Sequence, residues 1–364
     1  MILTVSKHVN ARIGSPSMDS PKPRFLSPGD KVNVISRVLG DSWDGNCEWV
    51  LTDLNELHTS SAFHLTESFL KEVPYYAENP KGSPLFNELG ISKLWEWASS
   101  KGKGLKVGII DSGIVGTHPS LVGKKVVELN PSSSLDPKND LHGTTMACII
   151  AGMDFEKQEI GVAPMVDMIY SYKIDLKNIR NLKVDDLLIA LNAMDNENVQ
   201  IINMSFSVRN NHLFSQFDEG RKVQEKINDM CSKGCLFVCS AGNRPPERRP
   251  FKIFPACYDG VISITGYDND KIHLNSSSCY WNGVDIAMTV QDYFLNSPHS
   301  NGTSSGAAII SGCLACAYNN ILSPKTSSIK NILKLLTPLS ASDSNIRIPK
   351  FEINQFIHLL NIQS

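Results

Sequence analysis

Apolar and polar positions change rhythm along the chain. Residues 31–38 ("KVNVISRV") and 48–52 ("EWVLT") alternate with a period of two, with the turn residues Asp44-Gly45 between them. This predicts two short strands. Further on, continuous apolar runs take over: "LKVGIID", "VDMIYSYKI", "VQIINMSFS", "CLFVCSAGN" and "GVISITGY". A parallel strand covered on both faces reads this way. Helical patterns stand between or after these runs, in "GTTMACIIAG", "VDDLLIALNAMDNE", "FDEGRKVQEKINDMCSKG" and "GTSSGAAIISG". Strands alternating with helices predict an α/β fold with a mostly parallel central sheet covered on both faces. Four segments follow: a flexible Ser-, Pro- and Lys-rich arm over 1–27, a small β module over 28–68, a linker with a short helix over 69–104, and a large α/β domain over 105–364.

In such sheets ligands bind beyond the carboxyl ends of the strands. The polar residues there are Asp111, Ser205 and Asn243, while His142 and Ser304 open helices. Taken singly, each has an ordinary reading as a turn, cap or loop residue. Together they are the set that acyl transfer requires. A serine hydroxyl is a weak nucleophile until an imidazole takes its proton. The imidazole needs a carboxylate on its other nitrogen to fix its tautomer and stabilise its charged form. A helix N-terminus directs free N–H groups at developing negative charge, and an asparagine amide adds another donor.

Composition removes several other classes. The 364 residues carry 35 Lys+Arg and 37 Asp+Glu, a net charge of −2, so no basic domain points to nucleic acid. No apolar run approaches the roughly 18 residues of a membrane span, and the N-terminus lacks the apolar core of a secretory signal. Nine scattered cysteines fit free thiols in a reducing, cytoplasmic compartment. Cys313 and Cys316 form a CxxC inside an apolar helical run, which reads as buried small residues rather than a redox pair or zinc site.

Residues from about 84 to 360 resemble the subtilisin-like serine proteases, or subtilases. "GKGLKVGIIDSGIVGTHPSL" is similar to the family's aspartate motif, "HGTTMACIIAG" to its histidine motif and "NGTSSGAAIISG" to its serine motif. "IINMSFS" resembles the substrate-binding strand and "FVCSAGN" the oxyanion asparagine motif. The resemblance implies a subtilisin-like three-layer fold and a serine endopeptidase acting on protein or peptide substrates. It implies a triad of Asp111, His142 and Ser304, with Asn243 in the oxyanion hole. It places substrate along Ser205, Phe206 and Ser207 and along Ser240, Ala241 and Gly242. The motif departs from the family at Ser305, Ala308 and Ile309, where Met, Pro and His are usual, and Ser207-Val208 replace a Gly-Gly pair. These changes leave open a second reading, a catalytically weak or inactive protein that binds through the same fold.

Many subtilases bind calcium through loop oxygens, and Asp154, Glu156 and Glu159 offer such ligands. An ordinary charged loop accounts for them better, so no cofactor or metal is expected, with calcium the alternative. After Asn243, the stretch "RPPERRPFKIFPA" carries Arg244, Arg248, Arg249 and Lys252 against Glu247. It reads as a solvated loop or as a basic rim favouring acidic substrates. No family prodomain is legible at the front. Instead Gly29-Asp30, Val32-Asn33-Val34 and Gly45-Asn46 leading to Trp49 resemble a bacterial SH3-like domain, which implies a docking module for a partner. Trp43 is its candidate contact residue; filling a small β core is the alternative for Trp43 and Trp49.

Overall fold

A computed structural model describes residues 2–12, 22, 24–43, 46–54, 57–63, 75–76, 84–116, 118–121, 123–130, 141–153, 159–176, 178–179, 182–208, 218–243, 253–268, 270–294, 301–321, 325–340 and 346–363. The N-terminal part is a small β unit, antiparallel except where residues 75–76 pair with residues 37–38. Its strands are β1 (Ile2–Thr4), β2 (Val9–Asn10), β3 (Phe25–Leu26), β4 (Lys31–Trp43), β5 (Asn46–Thr52), β6 (Leu57–Thr59) and β7 (Tyr75–Tyr76). The main sheet runs β1-β4-β5-β6, with β7 on β4. The predicted pair 31–38 and 48–52 is the central hairpin, although β4 continues to Trp43 because that residue still pairs with Asn46. The beginning of the expected flexible arm is ordered here. Ile2–Thr4 pairs antiparallel with residues 31–33, and Leu3, Val5 and Val9 join a separate apolar cluster with Val32, Val34 and Val50. Apolar side chains at alternate positions are enough to attach such a strand to a sheet face. Trp49 is buried, and the Trp43 side chain lies outside the described residues, as do residues 13–21 of the arm.

The larger part begins with α1 (Pro84–Leu89) and α2 (Ile91–Ala98), in the stretch read as a linker. Ile91, Leu94 and Ala98 on one stripe of α2 are buried in the main core. Then follow β8 (Lys106–Asp111), β9 (Val126–Glu128), α3 (Leu141–Ala151), β10 (Met168–Lys173), α4 (Val184–Asn196) and β11 (Ile201–Met204). The chain continues through α5 (Asp218–Ser232), β12 (Leu236–Ser240), β13 (Val261–Tyr267), β14 (Ile286–Thr289), α6 (Gly302–Ala317) and α7 (Thr326–Leu333). A short hairpin, β15 (Pro338–Ser340) and β16 (Arg347–Pro349), precedes α8 (Ile353–Gln363).

Seven strands form one sheet in the order β14-β13-β12-β11-β8-β10-β9, parallel at every described pairing. Alternation divides its side chains between two cores. Val107, Ile109, Ile201, Leu236, Val238, Ile262 and Ile264 face the layer containing α3 and α6. Ile110, Ile202, Met204, Phe237 and Cys239 face the layer of α4 and α5. These are the three layers of the expected α/β fold. From β8 the chain pairs first with β10 on one side and later with β11 on the other. The ends of β8 and β11 therefore flank a topological switch point, where such sheets open a crevice.

Candidate active site

Asp111 is the last residue of β8 and is fully buried. Its Oδ1 lies 2.7 Å from His142 Nδ1 and accepts the backbone N–H of Ser112 at 2.7 Å. His142 is the second residue of α3, half-exposed above the strand end. The helix approaches this closely because residue 143 is glycine. A Cβ there would lie 2.4 Å from the Gly113 carbonyl oxygen and 3.0 Å from Asp111 Cβ. Two side-chain bonds fasten the same junction: the Gly143 N–H donates to Ser112 Oγ (3.1 Å), and the Val115 N–H to Thr144 Oγ1 (2.9 Å). For the imidazole, burial works against the proton, while the Asp111 charge and hydrogen bond favour it. The net pKa is raised above the ordinary 6.5.

Ser304 lies in the first turn of α6, a 16-residue helix that packs on α3 and on β11, β12, β13 and β14. The helix survives the departures from the family motif. Ala308 and Ile309 are fully buried core residues, and Ser305 is buried with its hydroxyl unbonded among the described residues. Ser304 is 8 % exposed, and its hydroxyl donates to the Ser205 backbone carbonyl at 3.2 Å. In return the Ser205 hydroxyl donates to the Ser304 carbonyl at 3.0 Å. Asn243, exposed beyond β12, accepts with Oδ1 from the Thr303 N–H (3.1 Å) and hydroxyl (3.2 Å). Its amide oxygen is thereby committed to Thr303, one residue before Ser304.

The two expected substrate segments face each other. A Cβ on Gly242, which has φ of +93°, would lie 2.9 Å from Ser207 Oγ. The strained φ and the contact both favour glycine there. The Ser207 side chain therefore lies close against the Gly242 backbone. Ser205, Phe206, Ser240 and Ala241 are buried behind them. The structure thus brings Asp111 to His142, Asn243 to Thr303 and Ser205 to Ser304.

Sequence reasoning missed some supports. Thr303, Ser112 and Thr144 look like ordinary small helix and turn residues. His118 is also absent from the sequence reading. It is not a rival base: its Nδ1 accepts the Ser120 N–H at 3.2 Å, and burial pulls its pKa down to about 3. Arg244, Glu247, Arg248, Arg249 and Lys252 of the basic stretch lie outside the described residues, as do Asp154 and Glu156. Glu159 is described, and its carboxylate is held by Lys101 Nζ at 2.5 Å, with Lys124 close enough to feel its charge. Two ammonium groups beside one carboxylate fit a divalent cation poorly. Among the described residues no group of three His, Cys, Asp or Glu could hold a metal, and no helix is long and apolar enough to cross a membrane.

The chain also resembles known proteins in sequence and fold. The subtilase family model matches residues 102–342. The chain is 23% identical over 259 residues to an intracellular serine protease of Paenibacillus polymyxa, covering 68% of this chain and 74% of that one. It is 24% identical over 241 residues to subtilisin DY of Bacillus licheniformis, covering 64% and 83%. Among solved structures, the prenylagaramide maturation protease PagA superposes with a TM-score of 0.60 at 22% identity, over 74% of this chain and 98% of that one. MycP1 of Mycobacterium smegmatis superposes at 0.59 and 19% identity, over 77% and 86%. With a family match over most of its length, and the buried aspartate–histidine pair where the family motifs fall, this chain belongs to the subtilase family of serine endopeptidases.

Proposed function

We propose that this protein cleaves peptide bonds through Asp111, His142 and Ser304, with Asn243 as oxyanion donor, on substrates bound along residues 205–207 and 240–242. The observation that carries the reading is the 2.7 Å contact between Asp111 Oδ1 and His142 Nδ1 at the end of a buried strand. It orients the imidazole for use as a base at its other nitrogen. His142 takes the Ser304 proton as the hydroxyl oxygen attacks the scissile carbonyl. The Asn243 amide and the Ser304 N–H receive the developing oxyanion. The proton passes to the leaving amine, and water activated by the same imidazole releases the acyl group. To act, the Ser304 hydroxyl gives up its bond to the Ser205 carbonyl for the imidazole. Selective processing inside the cell is the setting that the free cysteines and the intracellular relatives support. The N-terminal β module is the candidate docking element for a partner.

The test is a fluorophosphonate, read by intact mass. One adduct on the wild type and none on Ser304→Ala or His142→Ala is the expected result. A folded wild type that takes no label favours the inactive binding protein instead.

A further inference from the structure

Behind Ser304 lies a buried polar chain that the proposed mechanism does not use. Asn203, on β11, is fully buried, and its Nδ2 donates to Ser205 Oγ at 2.9 Å. The Ser205 hydroxyl lies 3.2 Å from Asn203 Oδ1 and 3.0 Å from the Ser304 carbonyl oxygen. A hydroxyl has one hydrogen to give. Because the Asn203 amide donates to Ser205 Oγ, that hydrogen is directed to the Ser304 carbonyl. At the other end, Ser311 on α6 sits 3.5 Å from Asn203 Oδ1 and donates to the Ala307 carbonyl at 2.8 Å. The chain is thus anchored to α6 at the Ser304 carbonyl, while Ser311, whose one hydrogen goes to Ala307, only lies near Asn203.

We propose that Asn203 and Ser205 are positioning residues for the nucleophile: Asn203 orients the Ser205 hydroxyl, and that hydroxyl pins the Ser304 main chain at the mouth of α6. Asn243 holds the preceding residue through the Thr303 N–H. Ser304 is therefore gripped on both sides, by an exposed amide before it and a buried hydroxyl at its own carbonyl. Burial strengthens the second grip, because no water replaces a lost bond there. Small displacements of a nucleophile are costly to rate, so the effect falls on turnover rather than on substrate binding.

The inference rests on the protease reading, and the experiment separates the two. Peptide hydrolysis and fluorophosphonate labelling are measured for wild type, Ser205→Ala, Ser205→Thr, Asn203→Asp and the Ser205→Ala/Asn203→Asp double variant, with melting temperatures alongside. Ser205→Ala is expected to lower kcat about tenfold, the scale of one lost buried hydrogen bond, with KM within about twofold. Ser205→Thr keeps the hydroxyl and restores most of kcat. Asn203→Asp only accepts, draws the Ser205 hydrogen away and falls with Ser205→Ala. The double variant is no slower than the slower single one, because both break one linkage. The acid limb of the pH profile stays in place in Ser205→Ala, since His142 is untouched. Wild-type kcat in folded Ser205→Ala, or Ser205→Thr as slow as Ser205→Ala, overturns the positioning role while leaving the protease reading intact. A folded wild type without label overturns both.

Discussion

The site has two halves that are held in different ways. On one side, Asp111 and His142 are joined by a single charge-assisted contact in a buried place. On the other, Ser304 and Asn243 are tied by several neutral hydrogen bonds to Thr303 and Ser205. The first half is sensitive to pH and to the loss of one carboxylate. The second is insensitive to pH and shares its restraint among several atoms, so removing one contact leaves the others in place. Electrostatic orientation is concentrated, and main-chain positioning is distributed.

The largest effect comes from removing a reacting group. Ser304→Ala or His142→Ala is expected to lower kcat by on the order of 10⁶, as for a triad that acts as a unit. A residual rate within tenfold of wild type in a protease assay would break the comparison outright. Next, Asp111→Asn keeps the shape of the first half but loses its charge and correct tautomer, which is expected to cost about 10⁴ in kcat. Asn243→Ala removes the proposed oxyanion donor from the second half and should cost on the order of 10²–10³. An order reversed between these two, measured on the same peptide, would place the dominant restraint in the wrong half.

The pH profile sharpens the contrast. His142 must be neutral to act as base, and its pKa is raised because Asp111 outweighs burial. Activity should therefore fall with acid along a limb lying above 6.5, the ordinary histidine value. The sign for stability is the opposite. The Asp111–His142 pair contributes its full stabilisation below the unfolded histidine pKa and loses it as pH rises through the raised folded value. An NMR titration of His142 in Ser304→Ala reads that pKa directly. Asp111→Asn in the same background should lower it, since burial is then unopposed. The smallest effect is structural. Gly143→Ala pushes a methyl group against the Gly113 carbonyl and should destabilise the fold by about 1–3 kcal/mol, seen as a lower melting temperature.

Much of this was legible in the residues themselves. The continuous apolar runs ending at Asp111, Met204 and Ser240 are strands because both faces of their sheet are covered. The helices carrying His142 and Ser304 stood out as runs of small and apolar residues, and both are buried on nearly every side. Asp111, His142 and Ser304 stood out because acyl transfer requires those types and the flanking motifs match a known family, and the structure joins the first two. The clasp of Asn203 and Ser205 was not legible. It depends on which way a buried amide and a hydroxyl point, and tertiary packing alone decides that. Residues 2–12 were misread for a related reason. Their short alternation in "ILTV" is too brief to declare a strand until residues 31–33 arrive to pair with it. The helix Ile91–Ala98 showed its pattern, but not that its apolar stripe would pack against α6 and α8 from the far end of the sequence.

The sheet order has a temporal consequence. β8 sits between β10 and β11, and the helix bearing Ser304 lies across four strands that precede it in the sequence. On a chain emerging from the ribosome, the aspartate and histidine are therefore synthesised long before the residue they serve. The proposed nucleophile does not exist until α6 has been made, and it is not shaped until that helix settles against β11 to β14. Contacts so distant in sequence close slowly. The growing chain thus spends its unfolded, most cleavable period without a blade of its own.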